Sequence, residues 1–271
     1  MDKNEKQKAH FETIARKYLN ARQNENHQLL KKLIWNEFLK SKIINKNNEK
    51  KKCYAVLEPM CGYAEGYDIL VSHLGSEIKY TGFDSSETLV KYVRLHNPWL
   101  EVNIKDITKF EGGCAKYDII ILIGGLHHVF EYSNKILENL SEVLNPGGVF
   151  INFEPTDNNR LVRKIRNIIY KKNNLFDHET EKAFKLTQLN QLFEANNYRL
   201  VDQIYPGLLS YILYYNPDAF PYLNLGGKAL VEILFNLDKK FFRNWIGQKF
   251  SFATLSMWQK ENEHGRVTNK I

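Results

Sequence analysis

The stretch 53-CYAVLEPMCGYAEGYDIL-70 decides how this chain is read. Its opening, Tyr54–Leu57, is a short apolar run of the kind that fills a buried parallel strand. The run stops at an acid, Glu58, and passes through small residues, Gly62, Ala64 and Gly66, before a helical pattern begins near Tyr67. A strand that delivers its chain through such a turn into a helix N-terminus lets backbone approach a ligand and aims free N–H groups at it. An open α/β sheet with a nucleotide-like ligand at its strand tips is the expectation.

The spacing of the turn narrows the ligand. A dinucleotide fingerprint reads G-x-G-x-x-G with one acid about twenty residues on. Here the turn is Glu58-Pro-Met-Cys-Gly62-Tyr-Ala64-Glu-Gly66, which fails that spacing. An acid before the turn repels a pyrophosphate and suits a cationic amino group. Two later strands, 78-IKYTGFD-84 and 100-LEVNIKD-106, also end in acids. One acid at each of three successive tips suits a ligand with an amino acid part, a ribose diol and an adenine.

Downstream, strand and helix patterns keep alternating: 117-YDIIILIGG-125, a helix over about 131–143, the Pro-Gly-Gly turn and strand 144-LNPGGVFINFEP-155, then 187-TQLNQLFEANNYRLVDQIYP-206 and 250-FSFATLSMWQK-260. That alternation predicts parallel strands with right-handed crossovers. From about residue 50 to 205 the chain resembles the class I S-adenosylmethionine-dependent methyltransferases, whose first motif is usually acid-x-Gly-x-Gly-x-Gly; Met60 and Ala64 stand where two of those glycines are common. The resemblance implies a Rossmann-like α/β fold, a doubly wound, mostly parallel seven-stranded sheet with the last strand antiparallel. It divides the chain into an N-terminal helical cap (1–48), a cofactor-binding core (49–206), a helical, aromatic insertion (207–249), the last core strand (250–260) and a tail (261–271). It implies S-adenosyl-L-methionine as cofactor. Glu58, Met60 and Gly62 would face its methionine part, Asp84 and Ser85 the ribose, and Asp106 with the amide of Ile107 the adenine. Ile123 would border the cofactor from the fourth strand, and Tyr18 from a lid helix in 10-HFETIARKYLN-20.

Composition sets outer limits. A chain of 271 residues, 43% hydrophobic and 13% aromatic, has material for a packed core. Its net charge of +7 is a moderate bias, with lysines such as 49-EKKK-52 in expected loops. Three cysteines without metal-ligand spacing fit a reducing cytosol, so a cytoplasmic location is expected. The charged start MDKNEKQKAH does not read as a signal peptide, and no apolar run reaches the ~18 residues of a membrane span.

For chemistry, His127 and His128 follow the fourth strand, at the mouth where the resemblance implies a methyl group is presented. His128 is the candidate base for a hydroxyl nucleophile, and Glu154 at the tip of the fifth strand is the second candidate. His178 reads as a surface histidine, and no metal site is expected. The segment 207–249 carries Tyr211, Tyr214, Tyr215, Phe220 and Tyr222, broken by Pro217 and Pro221. Such a bent aromatic segment suits a small or lipid-linked acceptor methylated at oxygen, or else forms a homodimer surface. The basic helix 160-RLVRKIRNIIY-170, with Leu161, Ile165, Ile168 and Ile169 on one face, reads as a cover helix or a contact for an anionic substrate or membrane surface. The alternatives are an RNA methyltransferase, which the lack of an Asn-Pro-Pro-Tyr-like motif and of an RNA-binding module makes the weaker reading, and a non-catalytic binding module of the same fold.

Overall fold

In a computed structural model, residues 3–40, 53–74, 77–172, 182–217 and 220–261 are described. The chain opens with helices α1 (Lys3–Arg22) and α2 (Glu25–Leu39) and then alternates β1 (Cys53–Pro59), α3 (Glu65–Leu74), β2 (Glu77–Asp84), α4 (Glu87–His96), β3 (Glu101–Ile104) and β4 (Tyr117–Ile123). It continues through α5 (Ser133–Val143), β5 (Leu144–Pro155), α6 (Arg160–Lys172), α7 (Leu186–Ala195) and β6 (Tyr198–Ile204). Helices α8 (Leu209–Tyr214), α9 (Lys228–Asp238) and α10 (Trp245–Phe250) come before β7 (Ala253–Lys260).

The strands form one seven-stranded sheet in the order β3-β2-β1-β4-β5-β7-β6. β1 pairs in parallel with both β2 and β4, and β7 runs antiparallel between β5 and β6. The chain builds outward from β1 to β3 and then returns to β4 on the other side, so the tips of β1 and β4 flank a topological switch point, where open α/β sheets bind ligands.

The apolar strands bury both faces by alternation. Val56, Ile119 and Ile121 pack with Leu30, Ile34, Trp35 and Phe38 of α2 on one side. Leu57, Ile120 and Leu122 pack with Leu137 and Leu140 of α5 and Phe193 of α7 on the other. Phe193 also stacks on Trp258 of β7, rings 4.6 Å apart.

Three local differences from the sequence expectation have identifiable causes. The third strand stops at Ile104 because Asp106 turns its carboxylate onto Thr108 and caps a 3-10 turn over Ile107–Lys109. The last strand begins only at Ala253, because the Asn244 side chain caps α10, which runs to Phe250. Helix α6 is rotated relative to its apolar stripe: Val162 and Arg166 face inward, while Leu161, Ile165 and Ile168 are exposed. The Arg166 guanidinium sets this rotation by donating to the carbonyls of Thr156 and Phe252 and lying over the Phe252 ring. The polar loop 44–52, His178 and the tail beyond 261 lie outside the described residues.

Candidate cofactor and catalytic site

The turn after β1 keeps the backbone of a three-glycine loop without three glycines. Met60, Gly62 and Ala64 have φ of 53°, 54° and 65°, all left-handed. A side chain at such a φ costs roughly 1–2 kcal/mol, so the fold holds Met60 and Ala64 there against strain. The turn is held by the Cys61 amide donating to Phe83 O (3.0 Å) and the Ala64 amide to Cys61 O (2.8 Å). Above Gly62 there is open space, with no heavy atom within 4 Å of where a Cβ would stand. The Met60 side chain is directed at the tip of β4, its Sδ 2.9 Å from where a Cβ on Gly125 would lie. The mouth of the turn therefore stays free, and the residues present fit a ligand laid against the backbone.

The three acids have different duties. Glu58 is buried; Tyr80 Oη donates to its Oε2 (2.6 Å) and the Gly66 amide to its Oε1 (2.8 Å). Burial pushes its carboxyl up to about 8, against the opposing Tyr80 and Gly66 hydrogen bonds. Its carboxyl ties α3 to the sheet, and Gly66 must be glycine, since a Cβ would come within 2.7 Å of that carboxyl. Asp84 clamps two turns: Oδ2 accepts from the Gly62 amide (2.9 Å) and Oδ1 from the Ser86 amide (2.8 Å). Burial raises its carboxyl, and the amide donors oppose the rise. Ser86 caps α4, with half-buried Ser85 between it and Asp84. Asp106 is half-buried beside the buried Ile107, and half-buried Ile123 ends β4 next to the turn.

Helix α1 lies across this edge. Ala15 and Leu19 pack on Leu89 of α4, and Glu12 accepts from Ser86 Oγ (2.5 Å), the Thr88 amide (3.1 Å) and Thr88 Oγ1. The same helix brings Tyr18 to Tyr63 of the turn, ring centroids 6.2 Å apart. Arg22 lies 4.5 Å over the Tyr18 ring and donates to Tyr215 O (2.7 Å), linking the lid to α8. His27 is buried and donates from Nδ1 to Tyr215 O (2.8 Å); burial, then Arg22, push its pKa well below the usual range, so its ring is neutral. Tyr63, Arg22 and His27 went unnoticed in the sequence, although Arg22 stands one helical turn after Tyr18 on the same face.

The insertion aromatics separate. Tyr211 and Tyr215 stack (4.5 Å) and set their edges against Phe153 near the end of β5. Tyr214 is buried inside the insertion, its hydroxyl donating to Leu225 O (3.1 Å), and Tyr222 is exposed. Tyr211 and Tyr215 are thereby joined to the end of β5.

After β4 the chain forms a 3-10 run over Leu126–Tyr132, and this turn brings His127, rather than His128, to Glu154. His127 Nδ1 lies 2.8 Å from Glu154 Oε2. The same carboxylate accepts from the amides of Gly125 (3.0 Å), Leu126 (2.8 Å) and His127 (3.3 Å). Burial, followed by Arg166, lowers His127 to about 3, and burial raises Glu154 to about 7. The neutral imidazole therefore donates Nδ1–H to Glu154 and keeps Nε2 as its basic nitrogen. His128 lies beside it, ring centroids 3.9 Å apart and tilted by 36°, and lines a groove of about 730 Å³ with Phe130, Lys182, Gln188 and Gln191. The sequence holds no signal for which of the two histidines pairs with Glu154. Among the described residues no three His, Cys, Asp or Glu side chains converge to hold a metal ion.

A family model described as a methyltransferase domain matches residues 57–150, from β1 into β5. No curated protein matches the sequence. Among solved structures, the chain is similar to the plantazolicin methyltransferase BpumL, in complex with a pentazolic desmethyl analogue and S-adenosylhomocysteine (14% identity, 96% of each chain, TM-score 0.58). It is also similar to the O-methyltransferase of a trans-AT polyketide synthase multienzyme of Brevibacillus brevis, bound to S-adenosylhomocysteine (16% identity, 85% of this chain and 72% of that one, TM-score 0.54). A third is the cyclopropane synthase MmaA2 from Mycobacterium tuberculosis (12% identity, 78% and 79%, TM-score 0.56). At these identities the likeness is one of fold.

Proposed function

We propose that this chain is a class I S-adenosylmethionine-dependent methyltransferase that methylates an oxygen of a small or lipid-linked acceptor. The single observation that carries the oxygen assignment is the His127–Glu154 pair at the tips of β4 and β5. When bound, S-adenosylmethionine supplies a methyl group on a sulfonium, an electrophile at carbon. The chain's own residues then have three tasks: to hold the reactants in line, to keep water out and to take one proton.

Holding falls to the turn at Gly62 and to Asp84 and Asp106. Asp84 spends one lone pair of each oxygen on a backbone amide, which leaves acceptor capacity for a ribose diol. Asp106 and the Ile107 amide serve the adenine. Keeping water out falls to α1 with Tyr18 and to the Tyr211–Tyr215 stack, whose apolar faces suit a mainly hydrophobic acceptor. The proton goes from the acceptor hydroxyl to the His127–Glu154 pair through Nε2, which stays free to accept because Glu154 holds the Nδ1–H. Three free cysteines fit a reducing compartment and support a cytoplasmic location.

The test is release of S-adenosylhomocysteine with paired acceptors that differ only in a hydroxyl or an amine. Turnover confined to the hydroxyl member, and a fall in kcat of about 10²–10⁴ in His127→Gln with cofactor affinity kept, is the expected result. Equal loss in His128→Gln, or turnover of the amine alone, rejects the reading.

A further inference from the structure

The surface carries an apolar face that the fold leaves uncovered. Along α9 the inward residues are Val231, Phe235 and Asp238, while Leu230, Ile233 and Leu237 are exposed. These sit at i, i+3 and i+7, and the stripe runs on through exposed Phe241 in the following 3-10 turn to Trp245, two thirds exposed, at the start of α10. Helix α6 adds a second exposed stripe, Leu161, Ile165 and Ile168. The Asn158 side chain donates to Gln248 O (2.7 Å) and the Asn159 side chain to Lys249 O, which ties the start of α6 to the end of α10 beyond the α9 stripe.

Cations outnumber acids around this face, which also carries exposed Glu232 on α9. Six of the 13 residues of α6 are basic and none is acidic. Exposed Arg160, Lys164, Lys240 and Lys249 make no ion pair with an acid among the described residues. On α6 an indentation of about 330 Å³ is lined, among the described residues, by Arg160, Arg163, Lys164, Asn167 and Ile168, so these offer cations and an amide beside an apolar side chain. Arg163 also pairs with Asp157 at 2.8 Å. A protein partner would have to bring both an apolar surface and a dense negative rim. A leaflet of anionic lipid brings both at once, with phosphates above acyl chains at the depth an amphipathic helix reaches. The exposed Trp245 stands on the helix that also carries Lys249, and an exposed tryptophan beside a cation suits the interfacial layer.

We propose that the α6–α9–α10 face docks in the headgroup layer of an anionic bilayer, with Ile165, Ile233, Leu237 and Trp245 among the inserted side chains and the α6 indentation on a lipid phosphate. Docking of this kind is peripheral: among the described residues no helix is long and apolar enough to cross a membrane. It holds whichever acceptor the enzyme uses, and so stands or falls apart from the oxygen-methylation reading.

The test is co-sedimentation of the full chain with phosphatidylcholine vesicles, with or without one third phosphatidylglycerol, at about 0.1 M and about 0.5 M salt. Expected is binding at least tenfold tighter to the anionic vesicles and weakened by salt. The double variant Arg160→Gln, Lys164→Gln should bind about 30-fold more weakly. Ile165→Ser and Trp245→Ser should each weaken binding at constant vesicle charge, with melting temperature and S-adenosylhomocysteine affinity unchanged in every variant. Three results overturn the proposal. One is no sedimentation with anionic vesicles, or equal sedimentation with neutral ones. Another is a dimer in solution that Trp245→Ser dissociates, which makes a second copy the occupant. The third is tighter binding to a short RNA than to the vesicles, which assigns the cations to nucleic acid. Turnover of a water-soluble acceptor, measured on the same variants, tests the catalytic reading independently.

Discussion

At the scale of single residues, the turn after β1 and the His127–Glu154 pair carry the sharpest consequences. Gly62 has φ of 54° and open space over its Cα, so Gly62→Ala meets no clash and isolates the backbone cost. The variant should lose about 1–2 kcal/mol of stability, a fall in Tm of roughly 2–8 °C. Its affinity for S-adenosylhomocysteine should fall further, because the methyl group stands where the ligand approaches; calorimetry beside thermal melting separates the two effects. Asp84→Asn gives up charge-assisted acceptance, worth about 1.5–3 kcal/mol, and should weaken S-adenosylhomocysteine roughly 10–150-fold. Unchanged affinity in the folded variant removes Asp84 from the cofactor site. For the buried pair the base form is the active one, so kcat/KM should rise with pH and level off above an apparent pKa near 7 that belongs to the pair. Glu154→Gln should flatten that acid limb, and an unaltered profile excludes the pair from proton transfer.

At the scale of elements, α8 shows why position within a helix matters more than residue type. Tyr211 and Tyr214 are both tyrosines three residues apart, yet one stacks near the strand tips and the other fills the interior of the insertion. Tyr211→Ala should lower methyl transfer and keep S-adenosylhomocysteine binding within about threefold, a difference of about 0.65 kcal/mol. Tyr214→Ala should instead act on stability, by about 3–5 kcal/mol as for other large buried aromatics, read by denaturant unfolding. A Tyr211→Ala enzyme with full turnover detaches α8 from the acceptor. The elements themselves were readable to within a few residues, because apolar periodicity reports burial directly. The orientation of α6 was not, since its apolar stripe was a correct description of the helix and a wrong guide to its inner face. A guanidinium that donates to two carbonyls and lies over an aromatic ring can be buried, and Arg166 turned the helix accordingly.

At the scale of the whole molecule, buried titratable groups shape stability against pH. Glu58, raised to about 8 from 4.5, keeps its proton in the folded chain and loses it on unfolding, so its contribution fades as pH rises through that window. His27 and His127 are lowered, so their contribution fades as pH falls below about 6.5. Above 6.5 only the carboxyls act, and Tm should fall between pH 6.5 and 8. Glu58→Gln, which can keep both hydrogen bonds without titrating, should show a shallower fall; parallel melting curves that keep the wild-type slope refute this. The order of strand and helix, the acids of β1 and β2 and the small-residue turn were all legible in the chain, because each depends on local spacing and on which residues avoid water, whereas Asp106 lies past the end of β3 in a turn that it caps. Strand order, the choice of His127 over His128, the inward carboxyl of Glu58 and the joining of α6 to α10 depended on the tertiary structure. Each is a contact between residues distant in sequence, or a choice between neighbours made by the backbone turn that joins them. Such contacts are decided by which buried polar groups find partners in three dimensions, a condition that leaves no periodic mark along the chain.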